Sequence, residues 1–226
     1  ELVQQKTAEE KEANRRAMLE KVVILGQKVT EANSMEATLE RIWDGIHNTL
    51  GFDRLAVFLF NPERNSMDSM IGTDTYGNIQ DTSGISFSVS ENFKMVLEKP
   101  DGLFITHNYD IEFKIPAGHE MYGVKDYAAV AAWAGDKPIA ALCVDNVTTG
   151  RPITSEQLEG LKLFAGYAGL AIENARLNDA LQKELELQKQ IEEDANRLNV
   201  LKEEIKNEIE KQHQTLKVIR KPKTLI

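Results

Sequence analysis

The run "HNYDIEFKIPAGHE" places His107, Asp110, Glu112, His119 and Glu120 within one short stretch. Imidazole and carboxylate together are the donors that hold zinc or iron. Their spacing here matches no metal motif, and irregular segments commonly carry such groups as solvated side chains, so no metal is expected. The wider segment from Tyr76 to Trp133 is rich in aromatics, and small-molecule pockets are mostly apolar with a few placed polar groups. Tyr76, Phe93, Phe104, Tyr109, Tyr122 and Trp133, with His107 and Asp110 as polar members, are the residues expected to contact a ligand. The same composition also fits a plain core under long loops, and the residues alone leave both readings open. Cys143, the only cysteine, lies in an alternating, largely apolar stretch and reads as a buried small hydrophobe. Asp145 and Asn146 close that stretch, and Arg151 follows in the loop. One of the two is expected to cap a turn, paired with Arg151. No nucleophile or general base accompanies them, so no catalytic residue is assigned.

Positioning these residues requires a frame. From Glu1 to about Ala32 turn formers are scarce, and Met18, Val22, Leu25, Val29 and Ala32 recur three and four apart, which predicts a helix with one apolar seam. Asn33 and Glu36 form a capping pair for a second helix, whose stripe is Leu39, Ile42, Trp43, Ile46 and Leu50. The period then changes. "FDRLAVFLF" is β-branched and aromatic, and further short strands are predicted at Ser66 to Ile71, Ile85 to Val89 and Leu103 to Thr106. Ser90 caps a short helix that Pro100 ends. Two stronger strands, Tyr127 to Ala134 and Pro138 to Val147, flank the turn "GDK". Thr154 and Gln157 form another capping pair, and no strong breaker follows until Pro222. That predicts a helix far longer than the usual globular length of roughly 8 to 20 residues. The order of elements indicates an α+β fold.

The long helix has its own pattern. Counted by 3.5 residues, one seam row runs Leu170, Leu177, Glu184, Ile191, Leu198, Ile205, and the other Asn174, Leu181, Gln188, Ala195, Lys202, Ile209. A sustained heptad with charged flanks predicts a coiled coil. A second copy in parallel is the expected partner, so a homodimer is expected. Leu170, Asn174, Leu177, Leu181, Ile191, Leu198, Ile205 and Ile209 are its seam. Polar positions such as Asn174 cost stability and can fix register.

Composition sets outer bounds. The 226 residues carry a net charge of −9, which argues against nucleic acid, because phosphate binding needs a basic surface. No apolar run approaches the roughly 20 residues that cross a bilayer, so no membrane insertion is expected. A single cysteine fits a reducing compartment and predicts a cytoplasmic location. The chain opens on Glu1 rather than Met, which predicts a piece of a longer protein.

The helix leading into "ATLERIWDGIHNTLGFDRLAVFLFNPERN", the strand "PIAALCVDN" and the segment "GRPITSEQLEGLKLFAGYAGLAIENARL" together resemble the GAF domain family, the small-molecule-binding regulatory modules of bacterial sensor proteins. The likeness runs from Ser34 to Leu177. It implies a six-stranded antiparallel sheet with helices on one face, and a pocket under loops and short helices on the other. It also implies flanking N- and C-terminal coiled-coil helices that dimerise. The expected division is 1–33 as an N-terminal signalling helix, 34–177 as the sensory domain, 178–219 as a parallel coiled coil and 220–226 as a linker. Such modules are often joined to a histidine kinase, cyclase or phosphatase in two-component and related signalling. No signature of these outputs occurs in the sequence. Family members that hold a tetrapyrrole covalently use a cysteine commonly followed by His. Here Val144 follows Cys143, which argues against that cofactor, and the ligand stays unknown. The letters of "ENFKMVLEKPDG" stand in the wrong order for the cyclic-nucleotide set. Relatives that reduce oxidised methionine use pocket-loop cysteines, which this chain lacks. The function expected is therefore a non-catalytic sensor relaying a bound small molecule through the coiled coil. The alternative is a ligand-free dimer that only holds output domains in register.

Overall fold

The computed structural model describes residues 2–219, so the basic segment 220–226, expected as a linker, lies outside the described residues. Helix α1 (Leu2–Thr30) is followed by α2 (Met35–Asp44), which runs into a π-helical turn at Gly45–Thr49. Ser34, rather than Asn33, caps α2: it is extended, and its hydroxyl accepts from Ala37 N at 3.2 Å. Strands β1 (Arg54–Asn61), β2 (Ser66–Thr73), β3 (Ile79–Asp81) and β4 (Ser86–Ser88) come next, then α3 (Glu91–Leu97), β5 (Leu103–Thr106) and the single turn α4 (Tyr109–Glu112). Strands β6 (Tyr127–Ala134) and β7 (Lys137–Asp145) precede α5 (Ser155–Ile219). Thr154 and Gln157 close α5's first turn reciprocally, with Gln157 N donating to Thr154 Oγ1 and Thr154 N donating to Gln157 Oε1.

All strand pairs are antiparallel, in the order β3-β2-β1-β7-β6-β5, with β4 also on β2. The sheet therefore has seven strands, not six. The extra strand is β3, three exposed residues that pair with Ile71–Thr73 of β2, whereas β4 takes Ser66–Asp68. Nothing apolar alternates in "IQD", so only its hydrogen bonds define it as a strand.

Alternation along the central strands divides the interior into two layers. Leu55, Val57, Val130, Leu142 and Val144 face α1, α2 and α5, where Val22, Ile42, Leu161, Phe164 and Ile172 complete the larger core. Short helices are expected on the other face, and α3 lies there. Phe58, Ala129, Ala131 and Cys143 point the other way, toward Val96 and Leu97 of the short α3. This second layer is thin and aromatic, and it bears the cavity described below.

The seam of α1 is spent inside its own domain. Val22, Val29 and Ala32 are buried, and Met18 and Leu25 pack against the same core. Farther toward the N-terminus, Arg15 Nε donates to Glu159 at 2.6 Å and Lys11 pairs with Glu156 at 3.1 Å. Helix α1 thus belongs to the compact unit that extends to Asn178. On α5 the small residues Ala165, Ala168, Gly169, Ala171 and Ala175 are buried. A Cβ added at Gly169 would lie 2.3 Å from the Trp133 carbonyl oxygen, so the bare glycine lets helix and strand backbones touch.

Residues from Asp179 onward form a second unit. There α5 is a helix whose described side chains, through Leu216, are all exposed. Among them are ion pairs one turn apart, such as Arg197 with Asp194 and Lys206 with Glu203.

Candidate functional site

On the face of the sheet away from the long helices lies a cavity of about 450 Å³. Ala56 and Phe58 of β1, Tyr127 of β6, and Cys143 and Asp145 of β7 make its floor. Ser69 and Thr73 of β2, Gln80 of β3, and Ile85 and Phe87 around β4 form one wall. Phe93 of α3, Tyr109 of α4 and the loop residues Glu120 and Met121 complete the lining. A smaller chamber of about 210 Å³ shares Phe93, Tyr109 and Tyr127 with it and adds Ser90, Asn92, Phe104 and Phe113. The rings of Phe58, Phe87 and Phe93 meet at 5.2 to 5.8 Å, two of the three contacts being edge-on. Tyr109 packs at 4.6 Å from both Phe113 and Tyr127.

The polar groups are fastened to the scaffold. Arg54 and Asp145, cross-strand neighbours on β1 and β7, form a buried ion pair with Nε 3.0 Å from Oδ1 and Nη2 2.7 Å from Oδ2. Arg54 Nη1 also donates to the Glu120 carbonyl at 3.0 Å, which ties the loop over the cavity to the sheet. Thr73 Oγ1 accepts from Leu55 N at 3.0 Å, and the Ser69 and Thr82 hydroxyls lie 2.6 Å apart. Burial pushes the Cys143 thiol up to about 12 and the Tyr127 phenol well above its ordinary range; burial also raises Tyr109. All three stay protonated near neutral pH. The floor thus offers neutral O–H and S–H groups and no thiolate nucleophile.

Of the residues expected at a ligand, Phe93 and Tyr109 line both chambers and Phe104 lines the smaller. The other five line neither. Tyr76 is 84% exposed on the turn at Asp74 to Asn78, where its backbone N–H bonds to Asp74 Oδ1. His107 turns outward to Asp126 Oδ1 at 3.0 Å, and that carboxylate also accepts from Ile153 N. Asp110 is half-buried on α4, anchored through its own N–H to the Val124 carbonyl. Tyr122 is exposed on the loop before β6. Trp133 packs near the end of β6, against the thin layer's hydrophobic cluster. Among the described residues no group of three or more His, Cys, Asp or Glu is arranged to hold a metal.

Asp145 does cap a turn, accepting from Val147 N at 3.0 Å, but its ionic partner is Arg54. Arg151 lies instead 3.5 Å from Asp53, whose carboxylate also accepts from Thr149, while Asn146 accepts from Asp53 N and donates to the Arg151 carbonyl. Arg54 is not among the residues expected at the site, yet the sequence carries a signal for it. In "DRLAVF" Leu55 and Val57 set the core-facing phase, which leaves Arg54 on the same face as Ala56 and Phe58, buried and in need of a carboxylate.

The sequence matches the GAF domain family over residues 34–172. The chain belongs to the GAF domain family. The GAF fold is shared with solved structures at low identity. The GAF domain of a phosphoenolpyruvate-protein phosphotransferase from Acinetobacter is 14% identical, with 70% of this chain and 94% of that one covered and a TM-score of 0.57. A GAF domain from the corresponding Coxiella burnetii protein is 12% identical, with 74% and 99% covered and a TM-score of 0.57. A phycocyanobilin-bound GAF domain from a cyanobacterial phytochrome is 15% identical, with 72% and 96% covered and a TM-score of 0.51. No curated protein matches the sequence. Among the described residues no helix is long and apolar enough to cross a membrane.

Proposed function

We propose that this GAF chain is a non-catalytic sensory module that binds a small molecule in the 450 Å³ cavity and dimerises through a parallel coiled coil. The cavity carries the reading. It has the size of a small-molecule site, an aromatic lining and a few fixed polar groups. Its protonated thiol and phenols supply no nucleophile, which favours binding over chemistry. Dimerisation has separate support. Leu177, Leu181, Ile191, Leu198, Ile205 and Ile209 are each at least half exposed on α5, and Leu170 nearly so. A stripe of that kind is stable in water when a second helix covers it. An output domain joined to the chain, such as a kinase, cyclase or phosphatase, would read the state of that coil, in the cytoplasm. A ligand biases such a relay only by binding one state of the coil more tightly than the other.

Native mass spectrometry of the freshly purified chain tests the cavity. A dimer carrying an additional small-molecule mass is expected. In the layer that bears the cavity, Phe58 packs edge-on against both Phe87 and Phe93, and that ring packing favours the alternative of a ligand-free dimer that holds output domains in register. A dimer without added mass, at every protein concentration tried, would support that alternative.

A further inference from the structure

We infer that the cavity takes an uncharged aromatic ligand bearing a carbonyl or similar neutral acceptor, which the hydroxyls of Tyr109 and Tyr127 receive; the inference rests on the cavity being the ligand site, as proposed above. Three charged side chains belong to lining residues, those of Arg54, Asp145 and Glu120. Arg54 and Asp145 neutralise each other, and both are further occupied. Arg54 Nη1 donates to the Glu120 carbonyl, its Nη2 reaches Met121 Sδ at 3.4 Å, and Asp145 Oδ1 accepts from Val147 N. Glu120 is exposed, and its contact at the wall is made by its backbone carbonyl. Among the described lining residues, a charged ligand leaving water thus finds no buried counter-ion that is not already matched, and an unmatched buried charge is costly. A neutral ligand avoids that cost.

Tyr109 and Tyr127 supply open donors. Their rings stand side by side, centroids 4.6 Å apart, and line both the cavity and the smaller chamber beside it. Tyr127 lies across the strands from Asp145, in the row that ends at Arg54, so its side chain is on the cavity face of the sheet. Its hydroxyl sits beside the Cys143 thiol, which is only a weak acceptor. The Tyr109 hydroxyl has no hydrogen-bonding partner among the described residues. Burial keeps both phenols protonated near neutral pH, and Cys143 and Asp145 add to the effect from the floor, so each is a donor rather than a phenolate. The hydroxyls of the β2 wall are engaged already, Thr73 with the Leu55 backbone and Ser69 with Thr82. A carbonyl oxygen carries two lone pairs and accepts better than a thiol, so one such atom can take both phenols. The ring bearing it packs against Phe58, Phe87 and Phe93.

The test uses four probes of nearly matched shape on the purified chain: acetophenone, benzoate, benzamidine and ethylbenzene. Binding is read by saturation-transfer NMR, with dissociation constants from titration. Acetophenone is expected to bind at least about tenfold more tightly than either benzoate or benzamidine. Y109F and Y127F should each weaken acetophenone by about three- to tenfold, the worth of one hydrogen bond. Both variants should leave ethylbenzene, which has no acceptor, within about twofold, and that retained binding shows the cavity is still formed. Benzoate or benzamidine binding as tightly as acetophenone would overturn the preference for a neutral ligand. Acetophenone bound equally by the parent and both variants, or weakened no more than ethylbenzene, would overturn the role of the phenols; either result leaves the cavity a ligand site. Failure of all four probes to bind would instead count against the cavity as a ligand site, and the inference would fall with it.

Discussion

Cys143 shows at the residue scale how the sheet sets chemistry. The thiol stands on β7 between strands, facing the thin aromatic layer, and its burial raises it from an ordinary 9.0 to about 12. Near pH 8 that lowers the thiolate fraction by about a thousandfold. Iodoacetamide should therefore leave the native chain almost unmodified over a time that fully alkylates it in denaturant, and comparable native and denatured rates would contradict this placement. The sign of the pH dependence follows. Above 9.0 the unfolded chain releases this proton while the folded chain keeps it. The associated stability is intact below pH 9.0 and is lost as pH rises toward about 12. Burial of Cys143 was legible in the alternation of "PIAALCVDN", but its place on a cavity floor was not, because a floor exists only once β4, α3 and the loop at Glu120 close over it. The same limit explains the divided outcome for the expected ligand residues. Aromatic composition marks Phe93 and Tyr76 alike, whereas only long-range pairing decides that one lines the cavity and the other is exposed in a turn.

Among elements, α5 has the most demanding packing. Its exposed Gly166 has nothing within 4 Å of an added Cβ, while Gly169, three residues on, abuts the Trp133 backbone. Two substitutions with the same local chemistry should then have opposite signs. Gly166→Ala should stabilise the chain by about 0.5 to 1 kcal/mol through helix propensity. Gly169→Ala should destabilise it by about 1 to 3 kcal/mol, because α5 must lift off β6. Urea denaturation measures both, and a Gly169→Ala variant as stable as the parent would remove the close approach from the account. The periodic elements were readable: the seam of α1, the strands β6 and β7, and the capping pair of α5 all follow from local spacing. Three features were not. The strand β3 has no apolar alternation, Ser34 displaced Asn33 as cap, and the seam of α1 is used inside its own domain rather than by a partner helix. A narrow apolar stripe reads identically whether a sheet or another helix covers it.

The whole molecule divides into a compact GAF unit and a helix that has no core of its own among the described residues. Within the first, α1 and the early turns of α5 bury their apolar residues against the sheet. Within the second, from Asp179 on, each described apolar side chain is exposed, including Leu181, Ile191, Leu198, Ile205 and Ile209. An isolated helix gains little from propensity alone and owes most of its stability to packing of its apolar face. A covering partner is therefore the central requirement of the proposed function, and a parallel second copy would meet it by setting the proposed seam residues against their twins. Light scattering of the chain at micromolar concentration measures this directly. The account predicts twice the monomer mass of 25.4 kDa. A monomer mass at that concentration would contradict it.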